Sequence, residues 1–183
     1  MFDKKVVLSV ALLVLGLATF GSAQIRSESH NINFTIGNIF VLDVDNAGTN
    51  TDVNFTVSDP VNPGAQPAVA VTNNVNYLNY TSVVQNTKTH KISAKLTDTL
   101  PGVNIHVTAT APATGYGSKG TSNGSLTLTK TDQAVISGIG SCWTGTGGTE
   151  GALLTYSITF DDNNFASLLS ATPVEVVTYT ISD

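Results

Sequence analysis

Period-two alternation governs this chain. In "SHNINFTI", Ser29–Ile36, the apolar side chains of Ile32, Phe34 and Ile36 take turns with Asn31, Asn33 and Thr35. In "PVEVVTYTISD", Val177, Tyr179 and Ile181 share a face opposite Thr178 and Thr180. Successive side chains of an extended strand point to opposite sides, so each segment makes a ribbon with one apolar face. Helical period is almost missing, and short β-branched and aromatic runs are separated by clusters of Gly, Pro, Asn and Asp. That pattern excludes a helical bundle and predicts an all-β chain, an immunoglobulin-like antiparallel β-sandwich.

Strands are expected at Ile32–Val44, Val53–Val57, Ala68–Thr72, Tyr77–Val84, Lys91–Thr97, Asn104–Ala109, Ser125–Thr129, Ala134–Ile139, Leu153–Phe160 and Glu175–Ile181. Surface loops are expected at Asp45–Asp52, Ser58–Pro67, Ala113–Gly124 and Ser137–Gly151, the last as a glycine-rich hairpin tip. In "DDNNFASLLSATP" an Asx cap precedes Phe165, Leu168 and Leu169 at helix-like spacing, which suggests one or two helical turns before the final strand.

Lys4 and Lys5 precede a nearly unbroken apolar run, Val6–Leu17, followed by Gly21-Ser22-Ala23. This reads as an export signal, residues 1–23, cleaved after Ala23. The run is shorter than the roughly 20 residues of a spanning helix, so no membrane insertion is expected after cleavage, and a secreted or cell-surface location follows. Residues 24–183 then form one β-sandwich domain, with an N-terminal candidate donor strand at 29–39. Removing Asp3, Lys4 and Lys5 with the leader turns the net charge of −5 into −6. The remaining cations are scattered, which argues against nucleic acid as a partner. Cys142 is the single cysteine, so no intrachain disulfide exists and stability must come from packing. Beside Trp143, it reads as a partly buried, inert thiol.

No catalytic constellation stands out, and the chain does not read as an enzyme. A thiol nucleophile needs a base, and His30, His90 and His106 are the only imidazoles; His90 and His106 read as surface or strand-edge residues. No cofactor is expected, with one calcium option. The loop "DVDNAGTNTD" gathers Asp43, Asp45, Asn46, Asn50 and Asp52, oxygen donors of the kind calcium takes. Ala47 and Asn54 break the EF-hand pattern, however, which favours an Asx-rich turn. Asn33, Asn54, Asn79 and Asn123 match the Asn-x-Ser/Thr glycosylation triplet. Tyr77, Tyr80, Tyr116 and Trp143 offer material for a sugar-stacking surface, the basis of an alternative reading as a monomeric secreted module that binds carbohydrate or a surface protein.

The layout of signal peptide, alternating first strand, Thr/Asn-rich strands and aromatic-bearing last strand resembles fimbrial subunits of the chaperone–usher type. More loosely, it is similar to the spore coat protein U group. The resemblance implies donor-strand assembly, in which one subunit's leading strand fills a neighbour's groove. Ile32, Phe34 and Ile36 would be the pocket-filling residues, with Ile39 extending them and Val177, Tyr179 and Ile181 forming the terminal strand. The implied function is that of a structural or adhesive subunit of a surface fibre or coat, self-associating by edge-strand pairing and free to meet a glycan or host-surface ligand. The disulfide common in such pilins is absent, and Tyr179 lies further from the chain end than their terminal aromatic.

Overall fold

The computed structural model describes residues 28–48, 50–72 and 75–183; the expected export signal lies outside them. Two units divide at Thr35/Ile36. In the first, the described residues, 28–35, carry no regular secondary structure. The second is an all-β antiparallel sandwich.

Its strands are β1 (Ile39–Asp45), β2 (Asn54–Ser58), β3 (Ala68–Thr72), β4 (Val75–Val83), β5 (His90–Leu96), β6 (Val103–Ala109), β7 (Tyr116–Ser122), β8 (Ser125–Thr127), β9 (Gln133–Trp143), β10 (Ala152–Phe160) and β11 (Val177–Ser182). Pairing runs β11-β5-β9-β4-β10-β6-β8, with β1 added to β4 and β7 to β9; β2 and β3 form a separate hairpin. The long sheet turns over where β4 and β9 meet, a junction of only two residue pairs, Thr81 with Trp143 and Ser82 with Cys142. One layer is therefore β1-β4-β10-β6-β8 and the other β7-β9-β5-β11. After β8 the chain bridges the layers, because Leu128 N–H donates to Ile105 O and Leu96 N–H donates to Thr129 O.

Between the layers lies one apolar core. Leu78 and Tyr80 of β4, Val107 of β6 and Leu154 and Tyr156 of β10 face Ile92, Ala94 and Leu96 of β5, Ile136 and Ile139 of β9 and Ile181 of β11. Alternation explains which side chains enter, since on β4 the even-numbered residues Leu78, Tyr80 and Ser82 are buried while Thr81 is exposed. Without a disulfide, this burial and the ladders hold the fold.

Three phenols, Tyr80 and Tyr156 buried and Tyr179 half-buried, stiffen the core. Tyr80 donates to Lys119 O at 2.5 Å, and the hydroxyls of Tyr156 and Tyr179 meet at 2.8 Å. Burial, first of all, pushes all three pKa values above the ordinary 10.0, with Cys142 adding to the shift at Tyr80 and Tyr156 adding to it at Tyr179. The unfolded chain releases these protons first, so their contribution is complete below about pH 10 and is lost as pH rises further. Denaturant titrations are expected to give equal stability from about pH 7 to 9 and a falling one above about pH 10.5, the phenolate absorbance of Tyr80, Tyr156 and Tyr179 appearing together with unfolding.

Five sequence expectations change. The first strand begins at Ile39 instead of Ile32, residues 28–38 carrying no regular secondary structure. The segment Ala113–Gly124 is not all loop, since it contains β7, and the expected loop Ser137–Gly151 shortens to residues 144–151, since β9 runs on to Trp143. The expected helix shrinks to one 3-10 turn, Phe165–Ser167. His90 is not a surface residue; it is 1% exposed.

Candidate functional site

Ile32, Phe34 and Ile36 are 68%, 82% and 76% exposed. An alternating apolar ribbon so open to water is the feature monomeric proteins ordinarily hide. Ile39 does not continue it. Even-numbered residues carry the alternation onward into β1 as Phe40, Leu42 and Val44, whereas Ile39 and Val41 project from the outer face, the consequence of a one-residue parity difference.

Among the described residues, four strands of the sandwich, β1, β7, β8 and β11, keep a free ladder edge on one side. Among the described residues, β1 pairs only with β4 and β11 only with β5. They run near one another without joining. The inward side chains along this seam are incompletely covered: Phe40 is 48% exposed, and Leu42, Val44, Val177 and Tyr179 are half-buried against the core.

One end of the seam is closed by His90. Its imidazole lies 2.9 Å from Ser82 Oγ through Nδ1 and 3.0 Å from Asp183 Oδ1 through Nε2. A carboxylate oxygen accepts, so Nε2–H donates to Asp183, while the Ser82 hydroxyl is held against Nδ1. The edge of Phe40 packs on the same ring, centroids 5.3 Å apart, and Lys91 Nζ donates to Asp183 O at 2.8 Å. The order hydroxyl–imidazole–carboxylate matches a serine relay, but Ser82 is fully buried on the core side, so it presents no nucleophile to a substrate. What the cluster does is tie β1, β4, β5 and the residue after β11 together.

The aromatics expected to gather on one surface separate. Tyr80 is 3% exposed and belongs to the core, and Tyr77 is half-buried. Tyr116 and Trp143 instead form an exposed cross-strand pair on β7 and β9, centroids 5.4 Å apart and planes tilted by 48°.

The Asn/Asp loop puts its oxygens on its own backbone. Asp43 Oδ1 accepts from Val44 N–H, Asp45 Oδ1 from Asn46 N–H, Asn46 Oδ1 from Gly48 N–H and Asn50 Oδ1 from Asp52 N–H. The bonds at Asn46 and Asn50, two residues apart, are Asx-turn bonds. Among the described residues, no group of three or more His, Cys, Asp or Glu side chains comes together to hold a metal ion. Cys142 is buried, and burial raises its thiol pKa. Of the four glycosylation triplets, Asn79 is buried and donates to Gly147 O at 3.2 Å, so in the folded chain it cannot carry a sugar.

Sequence reasoning missed the His90 cluster and the seam. Neither has a local signal, since Ser82, His90 and Asp183 come together only through strand pairing. Among the described residues no helix is long and apolar enough to cross a membrane. No protein-family model, curated protein or solved structure matches this chain.

Proposed function

We propose that the chain is an exported structural, adhesive subunit that assembles when the Ile32–Ile36 ribbon of one copy adds as a strand along the β1/β11 seam of another. The observation carrying this reading is the exposure of three alternating large apolar side chains immediately ahead of a sandwich in which β1 and β11 each keep a free edge along one seam. Strand addition satisfies backbone groups on both partners and places alternate side chains in pockets. Burying Ile32, Phe34 and Ile36 contributes about 1.5–3 kcal/mol each, on the order of 4–9 kcal/mol before the ordering of the segment is deducted. Phe40, Leu42, Val44, Val177 and Tyr179, half-buried in the isolated domain, are the surface that such a strand would cover.

Electron microscopy of the purified secreted chain tests this directly. Filaments or ordered oligomers are expected, and deletion of Gln24–Gly37 should leave a folded domain that forms neither. Dispersed single particles from the intact chain at every concentration would overturn the proposal.

A further inference from the structure

We infer that Tyr116 and Trp143 form a binding platform for a neutral glycan, on the outer face of the junction between the two layers. Four adjacent strands set a single cross-strand row there: Tyr116 of β7 opposite Trp143 of β9, Trp143 opposite Thr81 of β4, and Thr81 opposite Val41 of β1. Tyr116 is 74% exposed and Trp143 50% exposed, so both rings offer a face to solvent.

The backbone beneath the pair is tightly constrained. A Cβ on Gly115 would fall 1.9 Å from Trp143 O, and one on Gly117 2.2 Å from Ser141 O. Both glycines have positive φ, 76° and 92°, a region disfavoured for other residues. These two glycines let β7 press onto β9 and fix the spacing of the rings. Their neighbours are small: Gly117 and Ser118 on β7, Gly140 and Ser141 on β9. The rings therefore stand above their surroundings.

The chemistry around the rings is hydroxylic and uncharged. Thr81, Ser118 and Ser141 supply hydroxyls at the rim, and Ser141 Oγ accepts from Val84 N–H at 3.2 Å, which leaves its own O–H to donate. Among the described residues, the Trp143 indole N–H and the Tyr116 phenol O–H have no hydrogen-bond partner, although both are donors that normally find one when they bind. The ion pairs Lys95–Asp132 and Lys130–Asp98 involve none of these residues, and the nearest basic chain on β7, Lys119, donates its ammonium to Thr114 O at 2.7 Å.

None of the row or rim side chains, Tyr116, Trp143, Thr81, Val41, Ser118 and Ser141, is charged, so they offer a charged ligand no counter-charge, and a purely apolar one leaves the hydroxyls and ring donors unsatisfied. A pyranose fits both requirements, with an apolar C–H face for an aromatic ring and hydroxyls around its edge. Single-stranded nucleic acid also stacks on aromatics but needs a basic groove, which a chain of net charge −5 does not provide here. The inference is independent of strand assembly, because the row lies on the outer face of the sheets and the ribbon is not part of it.

Trp143 is the only tryptophan in the chain, so its emission reports this site alone. The full secreted chain should be titrated with neutral glucan, mannan and chitin tetrasaccharides, and in parallel with a sulfated oligosaccharide. At least one neutral sugar is expected to shift the emission saturably. Tyr116→Ala should weaken that titration about tenfold or more with an unchanged thermal melt, while Tyr116→Phe stays within about threefold of the wild type. Phe34→Asp should leave it unchanged, which separates this outcome from failure of the assembly proposal. Unaltered emission with every neutral sugar, a response to the sulfated sugar alone, or equal binding by wild type and Tyr116→Ala would each overturn the inference. So would a response only to an added protein partner.

Discussion

Replacing Phe34 with aspartate is expected to convert assembled protein to monomer. The side chain is 82% exposed in the isolated chain, so the substitution removes no folded-state packing and should shift stability by no more than about 0.5 kcal/mol. Its effect falls on association. The lost burial is worth about 1.5–3 kcal/mol, and a carboxylate placed against Leu42, Val44 or Val177 of a second copy adds several kcal/mol of desolvation without a partner. Even a combined penalty of about 4 kcal/mol weakens association by roughly a thousandfold. Sedimentation velocity on wild type and variant at matched concentration reads the difference. Oligomers of unchanged size in Phe34→Asp would show that the ribbon is not the assembling element.

The second large effect is expected inside the fold, at His90. Truncation in His90→Ala leaves a cavity in a site that is 1% exposed, strips Ser82 Oγ of its partner, releases Asp183 and removes the ring on which Phe40 packs. Cavity and orphaned hydroxyl together should cost about 3–5 kcal/mol, which for a chain of this size lowers Tm by roughly 10 °C. His90→Gln, able to donate and accept, should recover part of that loss. A Tm for His90→Ala within about 2 °C of wild type would show that the cluster does not hold the seam together.

How far these features could be read in advance depended on whether the residue pattern survives the local geometry. The strands β5, β10 and β11 keep their alternation, and they, with β3 and β6, lie close to where the sequence places them. In contrast, β7 is nearly invisible, because glycine replaces apolar residues where the strand presses on its neighbour: a Cβ on Gly120 would come within 2.7 Å of Ile139 and 3.0 Å of Ile136. Bulges conceal the length of β9. Its pairing with β5 moves from His90–Ile139 to Ile92–Ile136, so buried residues fall three apart at Ile136, Ile139 and Cys142 and the period of two is broken.

The same logic applies to the sites. The ribbon was legible as a pattern, but its conformation was not, since alternation records which face is apolar and not whether a partner strand is present. Only pairing shows that Phe40, instead of Ile39, carries that face into β1. Of four aromatics named from sequence, Tyr80 entered the core because it shares parity with Leu78 and Ser82 on β4, and Trp143 remained outside because it is opposite Thr81. Parity within a strand decides such questions once the register is known.

Hydrogen exchange across residues 31–37, measured on the assembled chain and on Phe34→Asp, addresses the central claim most directly. If these residues become a strand in a second molecule's sheet, their amides should slow by about a hundredfold or more in the assembled protein and exchange at unprotected rates in the variant. Fast exchange of the segment within intact assemblies would contradict the account, for it would mean that the copies are joined through some other surface.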